Sequence, residues 1–341
     1  MKLVENEFIK FMEKFDENSF RIILEDGEHL IGDGEPAFTV KINKIPKMMD
    51  MLTSTSITLG EAYMNGDIEI EGDLYTALNM FLGQMGKFST DTKKLKNIIF
   101  TSKSKANQKK EVSSHYDIGN DFYKMWLDET MSYSCGYFKN ENDTLYQAQC
   151  NKVDRILEKL NLSDGMTLCD IGCGWGFLLI EAAKKYNIKG VGITLSKEQK
   201  AKFEQRIKEE NLSDRLEVKL LDYRDLPKQH MEFDRVVSVG MIEHVGRGNY
   251  EEFMQCVKSV LKQGGVFVLH FISALKEYPG DAWVKKYIFP GGVIPSLREI
   301  MQIAGELRFY TVDVESLRRH YNKTLLCWNE NFQQHRVEVN V

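Results

Sequence analysis

The chain shows its most regular hydrophobic pattern between residues 166 and 271, where short apolar runs alternate with segments of helical spacing. The predicted strands are Met166–Asp170, Lys189–Ile193, Leu216–Leu221, Phe233–Val239 and Gly265–Phe271. The predicted helices between them are 177–186, 196–211 and 249–262. This alternation is typical of a parallel, doubly wound α/β sheet, whose ligands bind at the carboxyl ends of its strands.

The first third of the chain has a different pattern. The apolar residues Val4, Phe8, Met12 and Phe15 recur at helical spacing, which favours a packed helix over a membrane anchor. Short strands are predicted at Phe20–Leu24, Phe38–Ile42 and Ile57–Leu59, with the turn-rich stretch EDGEHLIGDGEP between the first two. We therefore predict a small α+β domain over residues 1–85.

Within this region, Ala62–Leu78 has the sequence AYMNGDIEIEGDLYTAL. It predicts a helix end, an Asn-Gly turn, a strand with Ile68 and Ile70 facing inward, and a new helix. The segment resembles the closing part of sterol-carrier-protein-2-like domains, which hold lipids. The alternative is a small domain used only for docking or dimerisation.

Residues 86–112 are rich in lysine and form a predicted linker. From Lys87 to Glu111, eight lysines oppose two acids, giving a local net charge of +6 in a chain of net charge −5. Such a run is usually a solvated spacer. Near an anionic membrane, each lysine would add about 1 kcal/mol of attraction. The overall charge gives no case for nucleic-acid binding.

Length and composition limit the class of protein further. The 341 residues suffice for about two domains, and 43% hydrophobic with 28% charged residues is ordinary for a globular protein. The six cysteines form no CxxC pair, and no histidines have metal-ligand spacing, so we expect a reducing compartment and no metal. A metal pair at Cys169 and Cys173 is the alternative to packing in the core and loop. Neither a signal peptide nor a membrane-spanning run is expected. A cytoplasmic protein with peripheral membrane contact is the prediction.

The stretch Met166–Gly176, MTLCDIGCGWG, joins a predicted buried strand to a helix through Asp170, Gly172, Gly174 and Gly176. Glycines are needed where the backbone turns tightly or approaches a ligand closely. The spacing D-x-G-x-G-x-G differs from the G-x-G-x-x-G of dinucleotide-binding folds. It resembles the first motif of Rossmann-like methyltransferases that use S-adenosylmethionine (SAM). A plain strand-to-helix turn is the alternative.

The aromatic-rich segment HYDIGNDFYKMWLDETMSYSCGYF, His115–Phe138, precedes this loop. Together with GWG, VGITLS, DYRDL, FDRVVSVGMIEHVG, LHFI and KYIFPGG, it resembles the cyclopropane fatty acid synthases and mycolic acid cyclopropane synthases, from about residue 55 to 336. The resemblance implies a class I SAM methyltransferase domain over residues 113–341. In that family a final strand follows the helix predicted at Tyr321–Arg336, whereas this sequence stops at Val341.

The resemblance also implies which residues bind SAM. Tyr133 and Ser134 would close on the methionine end. The glycine loop would approach the cofactor through its backbone. The remaining implied cofactor residues are Thr194, Leu195 and Gln199 after the second strand, and Asp222, Tyr223 and Arg224 after the third. A surface Asp-Arg pair is the alternative for the last group.

A second set of residues is implied to hold a bicarbonate ion that acts as the base. Its members are Cys135, Glu243, His270, Ile272 and Tyr321. A structural glutamate and a satisfied core histidine are the alternatives, and a nucleophilic Cys135 is disfavoured because no base lies near it in sequence. Phe271 stands where relatives often have a smaller polar residue.

The function that follows is SAM-dependent cyclopropanation of cis double bonds in phospholipid acyl chains. The expected partners are a phospholipid bilayer at the inner membrane surface and a second copy of the chain, paired through the N-terminal domain. The alternatives are a SAM-dependent methyltransferase acting on another lipid or small molecule, and a lipid-binding protein without chemistry.

Overall fold

The computed structural model describes residues 2–25, 27–84, 119–278 and 280–339. They divide into two compact units: 2–84 with 280–289, and 119–278 with 290–339. The contribution of 280–289 to the first unit was not predicted from the sequence. The lysine-rich linker at 86–112 and the start of the aromatic segment, 115–118, lie outside the described residues, and the domain boundaries stay predictions.

The first unit is a four-stranded sheet packed with helices. Its elements are α1 (Lys2–Met12), β1 (Phe20–Leu24), β2 (Gly27–Ile31), β3 (Phe38–Ile42), α2 (Met48–Thr53), α3 (Thr55–Met64), β4 (Ile68–Gly72) and α4 (Leu74–Gln84). The strand order is β2-β1-β3-β4, with β1 and β3 parallel and the two outer pairs antiparallel. Its core includes Phe8, Met12 and Phe15 from the α1 region, as their spacing predicted, whereas Val4 is exposed.

Two predictions in this unit are wrong. Ile57–Leu59 lies inside α3, where the Thr58 hydroxyl donates a hydrogen bond to the Ser54 carbonyl one turn earlier. The β propensity of Ile57 and Thr58 is outweighed by this helical context. The stretch EDGEHLIGDGEP contains β2, an edge strand paired with β1. Its residues are mostly exposed, so it lacks the apolar alternation by which a half-buried strand is identified.

The second unit contains the predicted parallel sheet. Its strands are β5 (Thr167–Ile171), β6 (Lys189–Thr194), β7 (Leu216–Leu220), β8 (Phe233–Val239) and β9 (Leu261–His270). The order β7-β6-β5-β8-β9 is parallel throughout, which confirms the doubly wound α/β class. The first strand of this sheet, β5, lies in its middle; β6 and β7 extend the sheet to one side, and β8 and β9 extend it to the other. The strand order therefore reverses between β5 and β8. Ligands of such sheets bind at this reversal, outside the carboxyl ends of the strands.

Helices cover both faces of the sheet. They are α5 (Asn120–Lys124), α6 (Leu145–Leu160), α7 (Phe177–Lys185), α8 (Lys197–Glu209), α9 (Ile242–Val245), α10 (Tyr250–Val260), α11 (Leu297–Glu306) and α12 (Arg318–Val339). On one face, Leu168 of β5 belongs to a core with Phe203 of α8, and on the other, Val236 of β8 belongs to a core with Phe253 of α10. Burial on both faces explains the apolar run of the central strand β5, whereas the edge strand β7 alternates and leaves Glu217 exposed.

Candidate active site

The glycine loop after β5 has the backbone geometry that only glycine adopts easily. Gly172, Gly174 and Gly176 have φ values of 84°, 54° and 86°. A Cβ atom on Gly176 would lie 2.0 Å from Cδ2 of the Phe203 ring, and one on Gly172 would lie 2.7 Å from Cγ of Met241. A Cβ atom on Gly174 would meet no atom within 4 Å. Internal packing therefore requires glycine at positions 172 and 176, whereas the approach to Gly174 is open.

This loop forms one wall of a cavity at the carboxyl edge of the sheet. Every residue assigned to the cofactor from the sequence lines this cavity: Tyr133, Ser134, Asp170, Gly172, Gly174, Gly176, Thr194, Leu195, Gln199, Asp222, Tyr223 and Arg224. They come from the ends of three neighbouring strands and from the 130–138 segment. The fold thus collects side chains separated by up to 91 residues of sequence into one concave surface.

Short polar networks fix the parts of the cavity that follow β6 and β7. The Thr194 hydroxyl donates to Oε1 of Gln199 at 2.7 Å and accepts from the backbone N–H of Ser196 at 3.2 Å. After β7, Arg224 donates from Nε and Nη2 to the two carboxylate oxygens of Asp222, at 2.8 and 2.6 Å. The side chains of this ion pair are only 5% and 11% exposed, so it is not the surface pair considered as an alternative.

Two buried polar atoms of the cavity residues have no hydrogen-bond partner. They are Oδ1 of Asp170 and the hydroxyl of Tyr223. Burial raises the pKa of Asp170 to about 7, because a charged carboxylate loses its hydration, and the nearby Lys152 only partly opposes this shift. Buried polar groups are normally satisfied. Unsatisfied atoms in a cavity wall fit a polar ligand that supplies the missing partners, as the ammonium and adenosine groups of SAM would.

The segment 130–138 holds Tyr133 and Ser134 through contacts with α6 and the aromatic residues around it. The Tyr133 ring lies 5.1 Å from the Trp126 ring and 5.3 Å from the Trp328 ring, measured between centroids. The Ser134 hydroxyl accepts a hydrogen bond from Nζ of Lys152 at 2.9 Å. Aromatic packing on one side and a buried lysine on the other therefore position this part of the wall.

The residues assigned to the anion site lie outside the cavity lining. Glu243 on α9 is buried, and its Oε1 accepts a hydrogen bond from the Ile272 N–H at 2.7 Å. Its Oε2 has no partner, and neither has Nδ1 of His270. Burial raises the pKa of Glu243 to about 7 and, with help from Lys152, lowers that of His270 to about 4, so the imidazole is neutral near pH 7.

Electrostatic interactions connect the remaining members of this set. Burial raises the pKa of Tyr321 well above its ordinary value, and the nearby Tyr133, Glu243 and Cys135 raise it further. Burial also raises the pKa of the Cys135 thiol to about 11, and Lys152 partly opposes that shift. A thiol with this pKa stays protonated at neutral pH and is a weak nucleophile. The pKa of Tyr321 thus depends on both Glu243 and Tyr133, and Tyr133 is a residue of the cavity wall.

Sequence reasoning missed a lysine and a histidine in the cavity wall. Lys152 was assigned no role, and His244 was given little catalytic weight beside Glu243, yet both line the cavity. Lys152 lies on the buried face of α6, in line with Ala148 and Ile156. A charged residue at an apolar position of a helix was the available signal.

Two further classes of site are not found in the described part of the chain. No helix there combines the length and hydropathy needed to span a bilayer. No group of three or more His, Cys, Asp or Glu side chains among the described residues is arranged to hold a metal ion.

Comparison with known proteins gives consistent matches. A family model described as mycolic acid cyclopropane synthetase matches residues 103–341, and a model of a domain of unknown function matches residues 8–93. The probable fatty acid methyltransferase of Pseudomonas putida is 39% identical over 331 residues, which cover 92% of this chain and 80% of that protein. The cyclopropane-fatty-acyl-phospholipid synthase of Escherichia coli K12 is 37% identical over 326 residues, covering 93% and 83%.

A solved structure agrees with these sequence matches. The crystal structure of mycolic acid cyclopropane synthase CmaA1 complexed with S-adenosylhomocysteine (SAH) and CTAB is 35% identical and has a TM-score of 0.62. The alignment covers 67% of this chain and 84% of that one.

Proposed function

This chain belongs to the mycolic acid cyclopropane synthetase family and is a SAM-dependent transferase, and from that premise we propose that it cyclopropanates cis double bonds in phospholipid acyl chains. The observation that carries the proposal is the pairing of two sites in one unit. One is a cavity whose unpartnered Asp170 fits SAM, and the other is a buried Glu243 with one carboxylate oxygen left free.

We assign SAM to the cavity on the chemistry of its wall. The open approach at Gly174 admits a ligand close to the backbone, and Asp170 offers a buried acceptor for an ammonium group. Tyr223 presents a ring and an unused hydroxyl. Bound SAM supplies a sulfonium methyl group that an alkene π pair can attack, which returns the C–S electron pair to sulfur and leaves a cation on the acyl chain.

We assign the second set of residues to bicarbonate. A bound bicarbonate supplies a base that takes a proton from the new methyl group, so that the C–H electron pair closes the ring. Glu243 is fixed by the Ile272 N–H through one oxygen and can accept a hydrogen bond from an acid hydroxyl through the other. The Nδ1 atom of His270 has no partner and is available for a second contact. Tyr321 would add its hydroxyl and Cys135 its backbone N–H group. The N–H of Ile272 is donated to Glu243, so the backbone of Ile272 would help to hold the anion by fixing that carboxylate.

The bilayer is the proposed partner because the substrate chains are found there. We place the protein at the inner membrane surface, since its cysteines are free, as in a reducing compartment. The lysine-rich linker would add attraction to anionic lipid. Pairing of two copies through the N-terminal unit, and lipid binding by that unit in the manner of sterol-carrier-protein-2-like domains, remain proposals.

Incubation with vesicles of unsaturated phospholipid and SAM carrying a trideuterated methyl group tests the proposal. Ring formation removes one deuteron, so the product chain keeps two deuterium atoms and loses its double bond. Methylation alone keeps all three deuterium atoms whenever the lost proton comes from the chain. Mass spectrometry and NMR of the recovered acyl chains distinguish these products, and unchanged chains would contradict the function.

Methylation without ring closure is the second candidate. The observation favouring it is that the relative from Pseudomonas putida is named a probable fatty acid methyltransferase. Recovery of a chain with three deuterium atoms would support this candidate, with free fatty acid tested beside phospholipid as substrate.

A further inference from the structure

Lys152 is a buried cation in the wall of the cofactor cavity whose hydrogen-bonding capacity is mostly unused. The residue is 4% exposed and lies on the inner face of α6. Its Nζ donates to the Ser134 hydroxyl at 2.9 Å. An ammonium group has three N–H donors, and among the described residues no carboxylate lies within ion-pair distance of this one.

Burial of Lys152 lowers the pKa of its ammonium group. Loss of hydration lowers its pKa to about 8, and the nearby Asp128 and Asp170 only partly oppose the shift. Asp128 is already engaged, because it accepts hydrogen bonds from the hydroxyl and N–H of Thr130 at 2.9 and 3.1 Å. Asp170 has a free oxygen. A buried charge is stabilised only by close partners, which here are incomplete.

The wall therefore presents one cation and one anion, neither of which forms an ion pair among the described residues. Among the lining residues, Arg224 is the other strong cation, and its guanidinium is already held by both oxygens of Asp222. Lys152 and Asp170 remain free to meet opposite charges on a ligand. An amino-acid zwitterion carries those charges on neighbouring groups.

We propose that Lys152 binds the carboxylate of the methionine part of SAM, while Asp170 accepts from its ammonium group. The inference rests on the proposed function and assigns the end of the cavity that receives the amino acid. Lys152 also orients Ser134, whose hydroxyl it holds. The contact would be a charge-assisted hydrogen bond in a site shielded from water.

The test is a cycle of two proteins and two ligands, measured by isothermal titration calorimetry. The ligands are SAH and S-adenosyl-3-thiopropylamine, which is SAH without its carboxylate. The wild-type protein should bind SAH about tenfold to a hundredfold more tightly than the amine. Lys152→Met, which keeps side-chain length and removes charge, should abolish that preference and leave the affinity for the amine nearly unchanged.

Lys159→Met is the matched control, because Lys159 lies on the same helix and pairs with the surface acids Asp313 and Glu315. It should keep the wild-type preference for SAH. If Lys152→Met weakens the binding of both ligands equally, the role of the lysine is merely structural, and the inference is overturned. If that variant does not fold, equal affinities of the wild type for the two ligands overturn it instead. A wild type that binds neither ligand would refute the SAM assignment itself.

Discussion

The carboxylate of Glu243 accepts a hydrogen bond from the backbone N–H of Ile272 at 2.7 Å, while its second oxygen, Oε2, has no partner. Twenty-nine residues separate the two positions in sequence. The contact joins the helix after β8 to the segment after β9. It holds a buried acid at the carboxyl edge of the sheet with half of its accepting capacity unused.

This arrangement predicts an unusual dependence of stability on pH. Burial raises the pKa of Glu243 from 4.5 to about 7, so the folded protein binds a proton that the unfolded chain has already released. The free energy of unfolding therefore falls as pH rises from about 4.5 to about 7. Glu243→Gln removes this titration. In carbonate-free buffer, the stability of the variant relative to wild type should increase by up to about 3 kcal/mol between pH 5 and pH 8.

Urea denaturation at both pH values measures this difference. Glu251→Gln, at an exposed position on α10, is the control and should show no comparable change between the two pH values. A Glu243→Gln protein whose relative stability is independent of pH would contradict the assignment of a charged, unpaired carboxylate. It would favour the structural alternative.

The glycine loop predicts opposite outcomes for two similar substitutions. Gly174→Ala places a methyl group on the open approach to the loop, where no protein atom lies within 4 Å. It should keep the fold, at a cost of about 1–2 kcal/mol for an alanine at positive φ, and lose most SAH affinity because the methyl group blocks the ligand. Gly176→Ala places one 2.0 Å from the Phe203 ring and should destabilise the fold by about 2–4 kcal/mol. Thermal unfolding and calorimetry measure the two effects separately. Unchanged SAH affinity in Gly174→Ala would contradict the placement of the cofactor.

The sequence predicts the sheet of the second unit because its central strands, β5, β6 and β8, are mostly buried and appear as separate apolar runs. Phe233–Val239 has the bounds that were predicted. Prediction from the sequence fails at β2, because an exposed edge strand shows no apolar alternation. It also fails at Ile57–Leu59, where the helical context overrides strand propensity. The position of Lys152 in the cavity wall was not predicted, because helical periodicity indicates that a residue is buried but not which groups its side chain contacts.

The linker lysines outside the described residues support a prediction about the membrane. Replacing Lys103, Lys105, Lys109 and Lys110 by glutamate should weaken binding to vesicles that contain anionic lipid, because attraction becomes repulsion. Added salt should weaken wild-type binding in the same way. Sedimentation with anionic and with neutral vesicles measures the effect, and SAH affinity serves as the control that should not change. Binding that is insensitive to both charge and salt would identify a plain solvated spacer.

The last prediction separates the base from the residue that holds it. If Glu243 orients bicarbonate, the Glu243→Gln variant should still bind SAM, but its turnover should fall by two to four decades, which corresponds to a barrier roughly 3–5 kcal/mol higher. The reason is that the side-chain group not bonded to the Ile272 N–H can no longer carry charge. Removing dissolved carbonate should slow the wild-type enzyme, and restoring it should recover the rate, while the variant should respond weakly to both. The measurement is ring formation on unsaturated vesicles at fixed pH, with SAH affinity as a check on folding. Equal wild-type rates with and without carbonate would refute the bicarbonate assignment and leave the cofactor cavity untouched.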